Sequence, residues 1–148
     1  MKALSIKQPW ASLIANGIKD IENRTWKTSF RGRIYIHSSL KKAGNLPNIL
    51  TEEQAWYITS KVKEMPQKVD YMPFGAIIGE VDIIDCVINH ESIWAEKTNG
   101  VIVGNEFHTN RDTKIIYNWV LANPVSYKEP ILNVKGKLSL WDFPKNNF

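Results

Sequence analysis

Cysteine is almost absent from this chain. The single thiol, Cys86, excludes an internal disulfide, and its place in the apolar run IIDCVI (Ile83 to Ile88) reads as that of a small buried hydrophobe rather than a reactive or metal-binding group. Long hydrophobic runs are missing too. None approaches the roughly 18 residues needed to cross a bilayer, and the opening MKALSIKQPW has no apolar stretch of the kind a secretory leader carries. A soluble, cytoplasmic protein with no membrane partner is expected. There is no internal repeat or low-complexity tract, and Pro and Gly are scattered as punctuation rather than gathered into a linker. A single domain over residues 1–148 is therefore expected. His90 and His108 stand alone, with no second ligand at metal spacing, so neither a metal nor another cofactor is expected.

What remains is an ordinary globular composition with two biases. A chain of 148 residues, 43% apolar and 23% charged, can bury roughly two thirds of its surface in one core without covalent staples. Nineteen Lys and Arg against fifteen Asp and Glu leave a formal charge of +4, a mild excess compatible with a polyanionic partner. Six Trp are many for this length, and Trp serves either as a large core residue or as a stacking platform beside a polar site.

Ala3 to Ile6 reads as a short strand. Pro9 then suits the first turn of a helix over Trp10 to Asn16, with Leu13 and Ile14 inward and Gly17 as its stop. Asp20 to Trp26 alternates, which sets Ile21 on one face and Glu22, Arg24 and Trp26 on the other. Arg31 to Ser38 does the same, with Ile34 and Ile36 opposite Arg31, Arg33, Tyr35 and His37. These two strands are expected to be neighbours, displaying basic and aromatic side chains together. Thr51 and Gln54 form a capping-box pair ahead of Ala55, Ile58, Val62 and Met65 at helical spacing, and Pro66 should end that helix. Gly75 to Ile88 is rich in β-branched residues and is the expected long central strand. Further strands are expected within Val101 to Val103, Ile115 to Ala122 and Leu138 to Trp141, with Asn123 to Gly136 divided by Pro124, Pro130 and Gly136. Many strands with two helices near the front predict an α+β fold, a small mixed β-barrel rather than an alternating α/β sheet. Trp141 is expected to return beside the first strand.

The densest polar region is Lys7 to Trp10 (KQPW) followed by Gly17 to Trp26 (GIKDIENRTW). Lys19 and Arg24 have the chemistry to hold a phosphate, one as a mobile point charge and the other as a planar fork. Glu22, between two cations, should stay ionised and either accept from a base amino group or act as a general base. The plain alternative is a solvated salt bridge on a strand face, a common and weak interaction. Trp10 and Trp26 adjoin this cationic pattern and are the stacking candidates, while Trp56, Trp94 and Trp119 fall in core-like positions. Arg31, Arg33, Lys27, Lys135 and Lys137 are candidates for a basic rim. His37 is a candidate proton carrier or a satisfied structural histidine, and Ser38 and Ser39 have no partner base in sequence.

The run from Leu4 to Ser39, LSIKQPWASLIANGIKDIENRTWKTSFRGRIYIHSS, resembles the opening of an ASCH domain, whose mark is the pattern G-x-K-x-x-E-x-R. Here that pattern is filled by Gly17, Lys19, Glu22 and Arg24, flanked by Gln8 to Trp10, Trp26, Arg31 and Gly32, with a closing GKLSLW at Gly136 to Trp141. The resemblance implies a PUA-like fold, a β-barrel flanked by helices, with Lys19, Glu22 and Arg24 lining a cleft together with Lys7, Gln8 and Trp10. It also implies RNA or DNA as partner, or, by likeness to compact members that are acetylcytidine amidohydrolases, a modified nucleoside. Those members use a Lys and a Thr from this segment and a Glu from a later strand. Glu22 stands where that Thr would fall, and a carboxylate replaces a hydroxyl nucleophile badly because an acyl anhydride would have to form. Glu80 is the candidate for the later Glu.

Three readings stand at this point. In the first, Lys7, Lys19, Arg24 and Arg31 contact phosphate, Gln8 and Glu22 read base edges, and Trp10 or Trp26 stacks, with single-stranded RNA as the expected ligand. In the second, Lys19 and Glu22 are the catalytic acid and base of a nucleoside hydrolase or ribonuclease. The third is a protein-interaction or structural role.

Overall fold

The computed structural model describes residues 1–46, 48–62 and 72–144. Along the chain lie β1 (Lys2–Gln8), α1 (Trp10–Ala15), β2 (Ile21–Arg24), β3 (Gly32–Lys42), α2 (Glu52–Lys61), β4 (Ala76–Val87), β5 (Val101–Val103), β6 (Glu106–His108), β7 (Tyr117–Ile131) and β8 (Leu140–Asp142). Six strands form one sheet in the order β2-β7-β4-β3-β1-β8, and β5 with β6 forms a separate hairpin that the sequence reading did not foresee. Within the large sheet only β1 and β3 run parallel.

The mixed α+β character holds, but the expected barrel does not form. Closure would need β2 and β8 to pair with each other, and instead they are the two edges of an open sheet. Both are short, four and three residues, and the β2 edge is occupied by a loop. Asn23 Nδ2 donates to the Trp94 carbonyl at 3.0 Å, and the Glu96 N–H donates to Asn23 Oδ1 at 3.0 Å. A loop packed against an edge in this way shields it from another strand.

The sheet is nonetheless strongly curled. Arg24 on β2 and Ser5 on β1 are four strand positions apart, which on a flat sheet would separate them by about 19 Å at roughly 4.8 Å per strand. Yet Arg24 Nη2 donates to the Ser5 carbonyl at 2.8 Å. The expectation that β2 and β3 are neighbours is corrected as well, since β7 and β4 lie between them.

Both faces of the sheet are covered. Ile34, Ile36, Val81 and Trp119 pack with Ala11, Ile14 and Ala15 of α1 on one side. Ala3, Tyr35, Ile77 and Trp141 form a second cluster with Phe143 on the other. The alternation in β3 therefore does not separate buried from exposed residues, and Tyr35 and His37 are as inaccessible as the isoleucines. Trp141 does return beside the first strand, opposite Ala3. β4 is central, as expected, and Cys86 is buried in it. β7 runs straight through Pro124 and Pro130 rather than being divided by them. It pairs with β2 only as far as Val120, so both prolines lie where β4 is its one partner and the β4 register shifts by bulges.

Local signals set both helices. Gly17, at φ +76°, ends α1. Its N–H donates to the Ile14 carbonyl at 3.0 Å and that of Ile18 to Leu13 at 2.9 Å, the Schellman pattern that a left-handed glycine permits. At α2 the capping box forms, with Gln54 N–H to Thr51 Oγ1 at 3.1 Å and Thr51 N–H to Gln54 Oε1 at 3.0 Å. Of the expected inward stripe only Ile58 is buried, and Met65 and Pro66 lie outside the described residues. Among the described residues no helix is long and apolar enough to cross a membrane.

Candidate functional site

A cavity of about 800 Å³ opens where β1, the start of α1, β2, β3 and the segment before β8 converge. Its chemistry begins at the helix stop. After Gly17 reverses the chain, Ile18 enters an apolar cluster with Leu13, Ile21 and Trp94, and the Leu13 carbonyl receives the Lys19 N–H as well, at 3.1 Å. Lys19 is thereby turned inward, 5% exposed, with its ammonium donating to the Ile21 carbonyl and lying 5.3 Å from the centre of the Trp10 ring. Burial pulls the Lys19 pKa down from its usual value, and the nearby carboxylates, Glu22 first and then Glu96 and Asp20, oppose that shift.

Glu22 follows on β2 and is also buried. Its Oε2 accepts from Arg24 Nε at 2.8 Å and Nη2 at 2.7 Å, while Oε1 lies 3.8 Å from the Lys19 ammonium. Among the described residues Oε1 has no closer partner, so one carboxylate oxygen is fixed and the other retains acceptor capacity. Among the described residues Lys7, Lys41, Lys135 and Lys137 complete a lining of six cations against two carboxylates, Glu22 and Glu96.

Lys135 and Lys137 reach this cavity through His37. Its Nε2 donates to the Val134 carbonyl at 2.7 Å, which leaves Nδ1 as the acceptor for the Ser5 hydroxyl at 2.9 Å. Trp141 Nε1 also donates to Ser5 Oγ, at 3.3 Å. Gly136 presses on this network so closely that a Cβ there would lie 2.6 Å from Ser5 Oγ and 2.7 Å from His37 Cε1. Burial pushes the His37 pKa down, with the bond to Val134 opposing. A neutral histidine tying down the 134–137 backbone fits these contacts.

Five of the eight candidate site residues line the cavity: Lys7, Trp10, Lys19, Glu22 and Arg24. Gln8, Trp26 and Arg31 are placed elsewhere. The Gln8 amide is fully buried, donating to Ser12 Oγ at 2.8 Å and the Pro73 carbonyl at 2.9 Å and accepting the Ser12 N–H at 2.9 Å. It anchors the start of α1 and has nothing left with which to read a base. Trp26 stands edge-on to Trp119 at 4.5 Å, and its carbonyl accepts the Trp119 indole N–H. Arg31 donates to the carbonyls of Thr28 and Phe30 and lies 3.7 Å from Asp85.

The rim candidate Arg33 is held by Glu80 at 2.7 Å and Asp82 at 2.9 Å. Glu80 also accepts from the Tyr127 hydroxyl and does not line the cavity, so it is not placed to act with Lys19. Trp94, expected in the core, is buried there and also lines the cavity, while Glu96 was not singled out by sequence reasoning. Trp94 is 3% exposed, meets Trp10 edge-on at 6.3 Å, and its indole N–H lacks a hydrogen-bond partner among the described residues. No local pattern marks either residue, because both arrive from the loop that covers the β2 edge. Among the described residues no group of three or more His, Cys, Asp and Glu could hold a metal ion.

The model of the ASCH domain matches residues 4–131. This chain belongs to the ASCH domain family. The match takes in Gly17, Lys19, Glu22 and Arg24 but stops short of the Gly136 to Trp141 stretch. ASCH domains, consistent with membership of the PUA-like superfamily, are generally implicated in nucleic-acid binding. The chain is similar to activating signal cointegrator 1 of Homo sapiens, 44% identical over 84 residues, and to activating signal cointegrator 1 of Mus musculus, 43% identical over 84 residues. Each alignment covers 57% of this chain and 14% of the relative, so the likeness concerns about a seventh of those proteins.

Proposed function

We propose that this ASCH domain binds single-stranded nucleic acid, RNA first, by admitting an unstacked base into the cavity. The observation that carries the reading is Glu22: a buried carboxylate with Oε2 bound by Arg24 and Oε1 open beside Lys19. Such an oxygen is an acceptor suited to an exocyclic amino group, as on cytosine or adenine, and Trp10 supplies an aromatic face next to it. Lys7, Lys135 and Lys137 are exposed at the same cavity and serve the phosphates, whereas the Arg24 fork is largely spent on Glu22 and the Ser5 carbonyl. About 800 Å³ is room for a nucleotide-sized ligand.

A second reading rests on the lowered pKa of Lys19, 3.8 Å from Glu22. A lysine that loses its proton more readily than usual can act with a carboxylate as an acid and base pair in hydrolysis of RNA or a modified nucleoside.

One experiment separates them. Wild-type and Lys19→Ala proteins are incubated with single-stranded RNA, duplex DNA and modified nucleosides, and both retention and product are recorded by mass spectrometry. Retention of single-stranded RNA without product, lost in the variant and falling steeply with salt, supports the binding role. Product that depends on Lys19 replaces it with the enzyme. Equal retention by both proteins removes the cavity from either role.

A further inference from the structure

Trp94 is a wall between two cavities of opposite character. Behind it, between α2 and residues 91–94, lies a second cavity of about 560 Å³. Among the described residues three carboxylates line it, Asp20, Glu53 and Glu91, and no cation does. Asp20 Oδ1 accepts the Ser92 hydroxyl at 2.6 Å, while Glu53 and Glu91 have no hydrogen-bond or ion-pair partner among the described residues. On a chain of net charge +4, this is a local reversal of sign.

The aromatic lining is equally distinct. Trp56, a residue whose sequence context pointed to the core, is 75% exposed, and Tyr57 stands beside it. An indole left open on a helix, when Ile58 is the one buried residue of that helix, has the character of an interaction anchor. Outside the cavity lining, Lys61 Nζ lies 5.8 Å from the centre of the Tyr57 ring, so α2 already pairs an ammonium with one of its aromatic rings. The open Trp56 face beside unpaired carboxylates favours a cation, because the ring quadrupole and the carboxylate charge attract the same group. They disfavour a phosphate backbone, which would meet like charge within a screening length of about 8 Å.

We propose that this second cavity docks a basic segment of a partner protein, taking an arginine side chain whose guanidinium stacks on Trp56 and pairs with Glu53 and Glu91. Arginine fits better than lysine because its planar fork can lie on an indole while its edge serves a carboxylate. The site is independent of the nucleic-acid cavity and places a protein contact on the far side of Trp94. A domain with both could hold a nucleic acid and a basic protein at once.

The test is titration of the full chain with a capped (Gly-Arg)5 peptide, followed by calorimetry and by the tryptophan indole N–H resonances, with (Gly-Glu)5 as the control. Saturable binding of the arginine peptide alone is expected, with the Trp56 resonance shifted. Trp56→Ala should lower the affinity about tenfold and Glu53→Gln with Glu91→Gln about fivefold, while Lys19→Met leaves it unchanged. Trp56 is open to solvent, so its variant should keep the wild-type circular dichroism, and the double Gln variant tests the same surface independently. Unchanged affinity in both variants, a (Gly-Glu)5 peptide that binds as well, or dependence on Lys19 would overturn the proposal. So would a Trp56→Ala variant that loses single-stranded RNA but keeps the peptide, since the face would then belong to the nucleic acid.

Discussion

Arg24 and Glu22 sit two residues apart on one short strand, and the guanidinium grips a single carboxylate oxygen with both Nε and Nη2. Two residues along a strand share a face, so this pair follows from local geometry. The third bond, from Arg24 to the Ser5 carbonyl, turns it into a clasp across the curled sheet. Arg24→Ala should therefore destabilise the fold by about 3 kcal/mol, the low end for breaking a buried pair, because Glu22 is left with Lys19 as its nearest cation. Arg24→Lys should recover part of that loss, since an ammonium restores charge without the planar fork. Urea midpoints at constant m-value measure both.

Lys19 makes stability depend on alkaline pH. Its folded pKa lies below the 10.5 of the unfolded chain because burial disfavours the charged form. Between those two values the unfolded state binds more protons, so the Lys19 contribution to stability rises with pH across that window. Below the folded pKa, both states are protonated and the contribution is constant. The stability difference between wild type and Lys19→Met should accordingly move in favour of wild type as pH climbs toward 10.5, and denaturant titrations of both proteins at pH 7, 9 and 10 would show it. A flat difference would place the ammonium in a better-solvated setting.

Gly136 has no room for a methyl group. Gly136→Ala must push the 134–137 backbone away from Ser5 and His37, with a cost of about 1–3 kcal/mol for overpacking. Because Lys135 and Lys137 ride on that backbone, RNA affinity should fall along with the melting temperature. Lys135→Ala is the comparison, with affinity lowered and thermal stability kept.

The two tryptophans nearest the motif should part company. Trp10→Ala removes a cavity-lining ring and should weaken single-stranded RNA binding by about 1–3 kcal/mol. Trp26→Ala removes the edge contact with Trp119 and should lower the unfolding midpoint, leaving the affinity of the folded fraction near wild type. Fluorescence anisotropy with labelled RNA, paired with thermal unfolding of each variant, distinguishes the two roles.

The sequence by itself determined whatever depends on contacts between residues a few positions apart. The Thr51–Gln54 box, the stop at Gly17, the long β-branched strand β4 and the Lys19, Glu22 and Arg24 cluster are all of this kind. Their hydrogen bonds and shared faces are set by local helix, turn and strand geometry. Tertiary structure decided which of those faces meets solvent, and there the local pattern was silent. Gln8 turns inward because Pro73 offers it a carbonyl, and Trp26 is occupied because Trp119 arrives from β7. Trp94 enters the cavity on a loop that packs against the β2 edge, and the sheet stays open where closure was expected. Each outcome depends on a partner dozens of residues away in the chain, and side-chain periodicity carries no information about what will be packed against it.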